Sequence, residues 1–382
     1  MSLAAIRWEK VRSSICLKSP LRRYLWVSSR SLIERAAKEG ELRIFIVAGE
    51  VSGDTIGSRL MASLKKLSPV TIRFSGVGGS MMSKEGLRSL FPMENIAVMG
   101  IWELLPHLYN FRVKLKETVE AAFQFQPHAV VTVDSKGFSF RLLKQLRARY
   151  NEQRSDGPVH FHYVAPSFWA WKGGETRLKG LAKFVDHVFC ILPNEEAGCQ
   201  SNGLAATFVG HPILEDVLEL NMGKETTLHG WKIRGNGEDF QKKYAIPSVV
   251  QASRVALCTS GTVAMELQLA RLPCLVTYRA HLLTEWFIRY KAKIPYISLP
   301  NILLDSPVIP EALFQACTPT KVAFSLKELM NNIVLQQQQI VAAEKVMELL
   351  CPPNITVNNL EQQGSYTPSL IAASTILSYG QR

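Results

Sequence analysis

Two glycine-containing turns carry most of the side chains whose types and spacing could do chemistry. In the first, AGEVSGD, a predicted apolar strand gives way to Glu50, Ser52 and Asp54 just before a predicted helix. Two carboxylates at this point repel a pyrophosphate, and the turn lacks the G-x-G-x-x-G spacing of a dinucleotide-binding dehydrogenase. Carboxylates accept hydrogen bonds from sugar hydroxyls, so the turn predicts a sugar site. Helix capping by Asp54 is the structural alternative.

The second turn, 259–262, lies between a predicted strand at 255–258 and a predicted helix at 263–270. Its hydroxyls and the free backbone N–H groups at the helix start suit a phosphate. Glu266, one turn into the helix, is placed to reach a ribose diol beside a pyrophosphate. An ordinary Ser/Thr helix cap explains the hydroxyls about equally well.

Both turns belong to a chain that alternates short apolar runs with longer amphipathic ones from residue 41 onward. This alternation is typical of a parallel sheet flanked by helices, and therefore of an α/β fold. In the first half, the predicted strands contain RIFIVA, TIRFSGV, AVVTV, VHFHYV, HVFCIL and ATFV. Because ligands gather at the carboxyl ends of such strands, the turns at 49–54, 76–79 and 166–171 and the carboxylate of Asp134 are expected to line one crevice.

The composition, 382 residues with 47% hydrophobic and 20% charged, is that of an ordinary protein with about two domains. Its seven cysteines have neither Cys-x-x-Cys nor Cys/His spacing, which predicts no zinc site and no disulfide framework. The histidines also lack metal-ligand spacing, so we expect no metal and no cofactor. No apolar run approaches the about 20 residues of a transmembrane helix, so any membrane contact is expected to be peripheral.

Half of the net charge of +12 lies in residues 1–40, which contain nine Lys or Arg and three Glu. The segment is rich in serine, and its leucines and isoleucines are interleaved with the arginines, as in an organelle transit peptide; a disordered basic tail is the alternative. Its nine Lys or Arg outnumber its seven serines, which favours the mitochondrion over the chloroplast. The remaining charge favours anionic partners such as phosphates or an acidic membrane surface, and the lack of basic clusters with interleaved aromatics disfavours nucleic acid.

Seven motifs, taken together and in this order, resemble those of lipid-A-disaccharide synthase: AGEVSGD, GVGGSMM, VMGIWELL, HYVAPSFWAWKGG, FVGHP, SGTVAMEL and PYISLPNILL. They cover about 42–319. The resemblance implies a GT-B-like α/β fold of two Rossmann-like parallel-sheet domains. It places an acceptor domain at 41–212, a shortened UDP-binding domain at 213–345, and at 346–382 a tail whose helix packs back on the first domain.

The resemblance also implies the reaction. Members of the family are inverting glycosyltransferases that move a 2,3-diacylglucosamine unit from UDP to 2,3-diacylglucosamine 1-phosphate, giving the β-1,6 disaccharide of lipid A and free UDP. The chain has no Asp-x-Asp motif, so a metal-independent displacement is expected, with Asp134 as the base. A loop Asp that caps a local turn is the alternative interpretation of Asp134. The sequence leaves open whether the chain forms a homodimer.

The same resemblance assigns the other candidate residues to two pockets. The substrate-binding residues of the first domain are Glu50, Ser52, Asp54, Gly78 and Gly79. The UDP-binding residues of the second domain are Ser260, Gly261, Thr262, Glu266, Arg279 and Asn301.

One segment departs from the family. Between Pro212 and Val249 the family has a linker, a strand ending in a Leu-Pro-Gly-Ser-Arg turn, and a further helix, strand and helix. This chain has only 36 polar, glycine-dotted residues there, with no apolar strand. The second domain is therefore expected to be truncated, and the chain to be either a poor enzyme or a non-catalytic lipid or nucleotide-sugar binding protein. UDP-N-acetylglucosamine 2-epimerase shares the architecture, but AGEVSGD and WAWKGG argue against that activity.

The stretch 95–117, NIAVMGIWELLPHLYNFRVKLKE, combines apolar and aromatic residues with Arg112, Lys114 and Lys116. It predicts either a peripheral membrane surface that admits acyl chains or a helix packed in the core.

Overall fold

The computed structural model describes residues 31–96, 101–220, 225–228, 231–234, 254–353 and 367–380. Within them the chain forms a six-stranded sheet, a three-stranded sheet and a two-stranded antiparallel hairpin. The two larger sheets are parallel and are accompanied by helices. The predicted α/β class, with a smaller second sheet, is confirmed.

The six-stranded sheet is formed by β1 (Leu42–Ala48), β2 (Ile72–Val77), β3 (Ala129–Val133), β4 (Val159–Tyr163), β5 (His187–Cys190) and β6 (Ala206–Phe208). Its strand order is β2-β1-β3-β4-β5-β6, and all neighbours run parallel. The chain goes outward from β1 to β2 and then crosses back over β1 to β3. The strand order therefore reverses between β1 and β3, which is where ligands of such sheets bind.

The first domain is this sheet with the helices packed on it. Its helices up to residue 220 are α1 (Leu32–Glu39), α2 (Val51–Leu67), α3 (Ser80–Lys84), α4 (Ile101–Phe125), α5 (Lys136–Glu152), α6 (Gly174–Leu181), α7 (Pro193–Ser201) and α8 (Ile213–Leu220).

The side chains of β1 alternate between the two faces of the sheet, and both faces are covered by helices. Phe45 and Val47 point to one face, where they join the core formed with α4 and α5. Ile44 and Ile46 point to the other face and pack with α1 and α2. A strand buried on both faces is continuously apolar, which is why the run in the sequence predicts its position well.

Helix α1 belongs to the folded domain although it falls within the predicted transit peptide, 1–40. Ser31 caps it, and its side chain and that of Glu34 bond to each other's backbone N–H. Leu32 and Ala36 are buried in the core, and the N–H of Leu32 donates to the carbonyl of Tyr379. The predicted boundary at residue 40 therefore lies inside the folded domain, and residues 1–30 lie outside the described residues.

The segment 213–248, in which the sequence shows no apolar strand, contains structure of another kind. It begins with α8 and continues into the hairpin of β7 (Glu225–Leu228) and β8 (Trp231–Arg234). An antiparallel pair needs only a short connection and tolerates a polar face, whereas a parallel strand needs a long crossover and cover on both faces. The hairpin therefore forms without the apolar run that a buried parallel strand requires.

The second domain is the three-stranded sheet with its helices. Its strands, in the order β11-β10-β9, are β9 (Ala256–Cys258), β10 (Cys274–Tyr278) and β11 (Glu311–Leu313). Its helices are α9 (Thr262–Leu269), α10 (Leu282–Lys291), α11 (Leu299–Leu304), α12 (Pro319–Asn331) and α13 (Ile333–Leu350).

Helix α13 joins the two domains. In its first half, the side-chain oxygen of Gln339 accepts a hydrogen bond from the N–H of Cys274 in β10 at 2.9 Å. Near its end, Val346 and Leu350 pack with Leu192 of the first domain.

The last described helix, α14 (Pro368–Leu377), packs on α2 of the first domain. The hydroxyls of Ser369 and Ser63 lie 2.8 Å apart, and Ala372 and Ile376 are buried in the first-domain core. In the described parts of the chain, the helices are too short or too polar to cross a membrane.

Candidate active site

The turns after β1 and β3 meet where the strand order reverses. A Cβ atom on Gly49, after β1, would come 2.6 Å from Oγ of Ser135, after β3, so a residue larger than glycine would displace the second turn. This close approach brings Glu50 and Asp134 near enough for their charges to interact. Two predicted site residues therefore share one crevice.

The backbone at Asp134 is strained. Asp134 and Ser135 are consecutive non-glycine residues with positive φ, 46° and 44°. Such residues cost about 1–3 kcal/mol each and cluster at functional sites. The N–H of Asp134 donates to the carbonyl of Tyr163 at 3.0 Å, and the hydroxyl of Ser139 donates to the carbonyl of Asp134 at 2.7 Å. These bonds hold the half-buried Asp134 at the end of β3.

Asp134 and Lys136 act in opposite directions on the pKa of Glu50. Burial, and next the nearby charge of Asp134, raise the pKa of Glu50, while Lys136 opposes the shift. The same Lys136 acts on the buried Glu195 after β5, where it also lowers the pKa. The carboxylates of Glu50 and Asp134 can each take a proton from a hydroxyl. They lie near the ammonium group of Lys136, which can attract an anion.

Asp54 has a structural position in this arrangement. Its side chain is 3% exposed, and its carboxylate oxygens accept the backbone N–H groups of Gly79 (2.8 Å), Met81 (2.9 Å) and Met82 (3.1 Å). It therefore caps α3, a neighbouring helix, rather than its own. A Cβ on Gly79 would come 2.5 Å from Oδ2 of Asp54, which explains why glycine stands there.

The remaining substrate-binding candidates of the first domain lie near this cap. Helix α2 begins at Val51, earlier than the predicted turn allows, so Ser52 lies in its first turn with an exposed side chain. At Gly78, a Cβ would come 2.6 Å from the sulfur of Met82 and 2.8 Å from Leu87. Gly78 and Gly79 thus permit α3 to pack closely, and their role in substrate binding stays a prediction.

Sequence reasoning missed Glu195, which fixes the WAWKGG motif. The indole N–H of Trp169 donates to its Oε1 at 3.2 Å, and the N–H groups of Ile191 and Leu192 donate to its Oε2. Burial raises the pKa of Glu195 to about 7, although these donors and Lys136 favour the charged form. A Glu at the third position of a helix that starts with Pro193 is a sequence signal that could have identified it.

The second-domain turn has the predicted form of a strand, a glycine and a helix start. Gly261, with φ 136°, precedes α9, and Thr262 is the first residue of that helix; both are exposed. The hydroxyl of Ser260 donates to the carbonyl of Ile297 at 3.2 Å, so it is engaged within the domain. Burial raises the pKa of the half-buried Glu266, a hydrogen bond with Thr262 opposes the shift, and the nearby charge of Asp216 in α8 adds to it. Glu266 therefore lies near enough to α8 for its charge to interact with that of Asp216.

Arg279 and Asn301 differ in exposure. Arg279 follows β10 and is exposed. Asn301 is buried, its amide donates to the carbonyl of Ile309 (2.8 Å) and to Glu311 (2.9 Å), and its oxygen accepts the N–H of Ile309 (2.8 Å). Asn301 thus orders the loop before β11. Its predicted contact with UDP would have to displace bonds that it already makes.

Three histidines of the first domain, namely His160, His162 and His211, are buried and hydrogen-bonded within the fold. His162 lies 2.8 Å from the hydroxyl of Thr132, and His160 lies 2.8 Å from the carbonyl of Phe184. Burial lowers the pKa of His162 to about 3 and those of His160 and His211 to about 4. Among the described residues, His, Cys, Asp and Glu side chains form no cluster suited to a metal ion.

The stretch 95–117 is described mainly in its second half, since residues 97–100 and the side chains of 101–108 lie outside the described residues. In the described half, Phe111 and Leu115 are buried in the core, as the core alternative predicts. Tyr109 is exposed, and Lys114 pairs with Glu117 at 2.8 Å. The membrane-facing alternative stays a prediction for this stretch.

Comparison with known proteins agrees with the sequence motifs. A family model described as Lipid-A-disaccharide synthetase matches residues 44–229 and 236–362. The probable mitochondrial lipid-A-disaccharide synthase of Arabidopsis thaliana is 53% identical over 437 residues, covering 93% of this chain and 95% of that protein. The lipid-A-disaccharide synthase of Rhodospirillum centenum is 33% identical over 395 residues, covering 88% and 94%. The match of 437 residues exceeds the 382 of this chain, so the Arabidopsis protein has residues without a counterpart here.

Solved structures resemble the chain only distantly. The glycotransferase of kitacinnamycin has a TM-score of 0.46 at 10% identity, covering 88% of this chain and 98% of that one. A UDP-GlcNAc 2-epimerase from Neisseria meningitidis has a TM-score of 0.41 at 12% identity, covering 88% and 99%. Likeness at this level does not bear on activity, so it gives the epimerase alternative no support.

Proposed function

The chain belongs to the lipid-A-disaccharide synthase family of glycosyltransferases, and from that premise we propose that it moves a 2,3-diacylglucosamine unit from UDP to 2,3-diacylglucosamine 1-phosphate. The products are the β-1,6 disaccharide and UDP. An inverting displacement needs a base for the acceptor hydroxyl and a site that stabilises the departing nucleotide.

Asp134 is the base in this proposal. The observation that supports it most is its position: it ends β3 on strained backbone, at the reversal of strand order, beside Glu50. Glu50 and Ser52 are assigned to the sugar pocket, whereas the carboxylate of Asp54 positions α3.

The nucleotide lies at the start of α9 in this proposal. The exposed Gly261 and Thr262 leave the first N–H groups of that helix accessible to a diphosphate, and the exposed Arg279 supplies positive charge. Glu266 accepts hydrogen bonds from the ribose hydroxyls.

The test is incubation of the purified chain with both acylated substrates and direct detection of the disaccharide. Asp134→Asn is expected to lower kcat by about 10²–10⁴ without changing the melting temperature, because it removes a base at constant size. Asp156→Asn, at an exposed Asp after α5, is the matched control and is expected to keep wild-type turnover. Normal turnover by Asp134→Asn would remove Asp134 from the mechanism.

A second candidate is a protein that binds the lipid but turns over slowly. Two observations favour it: the second sheet has three strands among the described residues, and the Arabidopsis relative has residues that this chain lacks. A parallel sheet that has lost strands and covering helices exposes apolar surface on its nucleotide-binding side. Turnover should then be far below that of the Arabidopsis protein assayed alongside, with acceptor binding retained. Equal turnover of the two proteins would rule this candidate out.

The proposed location is the mitochondrion, with a leader that ends before Ser31. The Arabidopsis relative is named mitochondrial, and residues 1–30 are basic and acid-poor. Residues 1–30 fused to a fluorescent reporter should direct it to mitochondria, and a cytosolic signal would refute the targeting proposal.

A further inference from the structure

Helix α10 buries its acidic residue and exposes large apolar residues, which is the reverse of an ordinary surface helix. Its acidic residue, Glu285, is buried and pairs with Arg289 at 2.8 Å. The spacing of Leu282, Trp286 and Tyr290, four residues apart, places them on one stripe of the helix, and all three are exposed; Trp286 is 67% exposed. Within the described part of the chain, packing on the domain thus leaves this apolar stripe of α10 uncovered.

This face is ordered by aromatic stacking and bordered by cations. The rings of Trp286 and Tyr290 are stacked, with centroids 5.8 Å apart and planes 4° from parallel. The ammonium groups of Lys172 and Lys291 lie 5.6 Å and 5.3 Å from the centroid of the Tyr290 ring. Residues 279–293 contain four Lys or Arg and one acid, the buried Glu285.

The face continues onto the first domain. The N–H of Lys172 donates to the carbonyl of Lys291 at 2.8 Å, and the N–H of Lys293 donates to the carbonyl of Ala170 at 2.8 Å. The rings of Phe287 and Trp171 lie 6.2 Å apart. The α10 aromatic face, which we define as Leu282, Trp286, Phe287 and Tyr290, is therefore attached to the WAWKGG motif that borders the proposed active site.

We propose that the α10 aromatic face docks on the surface of a bilayer that contains anionic phospholipid. Exposed Trp and Tyr favour the boundary between headgroups and acyl chains, and Lys residues at the rim of such a face are attracted to anionic headgroups. A protein partner of matching chemistry would need acidic residues around an apolar groove, whereas a bilayer supplies both features over any area. The inference rests on the proposed function, because acylated substrates reside in a membrane. The α10 aromatic face is distinct from the stretch 95–117, for which the sequence predicts a membrane surface as one alternative.

The experiment measures partition of the full chain onto vesicles, without substrate. Vesicles of phosphatidylcholine with one-third phosphatidylglycerol are compared with pure phosphatidylcholine by co-sedimentation. The wild type is expected to bind the anionic vesicles at least about tenfold more tightly, and added salt should weaken that binding. Equal binding to both vesicles, or binding to neither, would overturn the proposal.

Two double variants separate this face from apolar exposure in general. Trp286→Ser with Tyr290→Ser is expected to lower binding to anionic vesicles by at least about tenfold. The matched control is Phe324→Ser with Ile333→Ser, because Phe324 (67% exposed) and Ile333 (77% exposed) lie on α12 and α13 of the same domain. The control is expected to bind as the wild type does, and equal loss in both variants would overturn the proposal.

Two further measurements distinguish membrane docking from a folding defect and from a protein interface. Melting temperatures should be unchanged in both variants, since the four residues are exposed. If light scattering shows that the aromatic variant dissociates an oligomer while vesicle binding persists, the face is a protein interface and the proposal fails. Vesicle binding without disaccharide formation would refute the proposed reaction and leave this inference intact, because the binding assay contains no substrate.

Discussion

The two parallel sheets of this chain are covered to different degrees. In the first domain, every residue of β3 and β4 is buried, with helices on both faces. In the second domain, β9 is the last strand of the sheet among the described residues, and Leu257 in it is 51% exposed. The large apolar side chains exposed in the second domain include Leu257, Val263, Leu282, Trp286, Phe287, Tyr290, Phe324, Met330, Ile333 and Val334.

This difference shows what the covering elements contribute. A strand of a parallel sheet is apolar on both faces. Where a neighbouring strand or a covering helix is missing, apolar side chains and unpaired backbone groups are therefore exposed to solvent. The first domain holds Asp134 and Glu50 on a sheet of six strands, and the second holds the turn of Gly261 on a sheet that has three among the described residues. We therefore expect the acceptor side of the site to be the more rigid of the two.

The largest effect on this comparison is expected from Asp54→Ala, which damages the first domain from within. The change leaves the N–H groups of Gly79, Met81 and Met82 without their acceptor. Because hydrogen bonds to a charged group contribute about 1.5–3 kcal/mol each and do not add fully, the first-domain free energy of unfolding should fall by about 3–5 kcal/mol. Urea unfolding measures this loss.

Asp156→Ala is the control for that experiment. Asp156 is exposed, and its substitution should change the free energy of unfolding by less than about 0.5 kcal/mol. If Asp54→Ala is as mild as the control, α3 does not depend on the cap, and the carboxylate is available for substrate after all.

Amide hydrogen exchange tests the comparison directly in the wild type. Backbone amides of β3, paired on both sides by β1 and β4, should exchange only through global opening of the first domain. Amides of β9, which among the described strands pairs with β10 alone, should be at least about 100-fold less protected. Similar protection in β3 and β9 would mean that the second domain is as stable as the first.

The sequence predicts the first sheet well because each of its strands is a continuous apolar run that ends at a polar or glycine turn. It also predicts the crevice, since the turns after β1 and β3 follow from the strand positions alone. It could not predict the partner of Asp54, because Gly79 is 25 residues away and only the packed fold brings them together.

Two other features needed the three-dimensional structure for similar reasons. The motif PYISLPNILL predicts Asn301 as a ligand-binding residue, yet its side chain bonds to Ile309 in the loop before β11 and to Glu311 at the start of β11. Sequence spacing alone does not indicate these partners. The hairpin β7–β8 is too short and polar for the apolar periodicity that identifies buried strands.

Low pH is expected to make the first domain less stable than the second, because buried histidines lie in the first domain. Burial lowers the pKa of His162 to about 3 and that of His160 to about 4 from the ordinary value of 6.5. Between about pH 4 and pH 6.5 the unfolded chain therefore binds more protons than the folded one. The free energy of unfolding falls as the pH falls through that range. Glu195, with its pKa raised to about 7, has the opposite and smaller effect, losing stability as the pH rises from 4.5 through 7.

The measurement is urea unfolding of the first domain at several pH values. His162→Gln should flatten the dependence between pH 4 and 6.5, because glutamine does not titrate there. His281→Gln, at an exposed histidine of the second domain, is the control and should keep the wild-type slope. An unchanged slope in His162→Gln would show that His162 already takes up a proton in the folded state.

The smallest predicted effect concerns the nucleotide side of the site. Glu266→Gln should weaken UDP binding about fivefold to tenfold, because a neutral amide is a poorer acceptor for two ribose hydroxyls than a carboxylate. Binding of the acylated acceptor should stay unchanged, since Glu266 lies on α9 and the acceptor is assigned to the first domain. The half-buried position of Glu266 on the less covered domain keeps the loss modest, as surrounding water can compensate part of it. Titration calorimetry with UDP measures the change, and Glu328→Gln, at an exposed Glu of α12, provides the control. UDP affinity equal in both variants would exclude Glu266 from the site and leave the start of α9 and Arg279 as the remaining candidates for nucleotide binding.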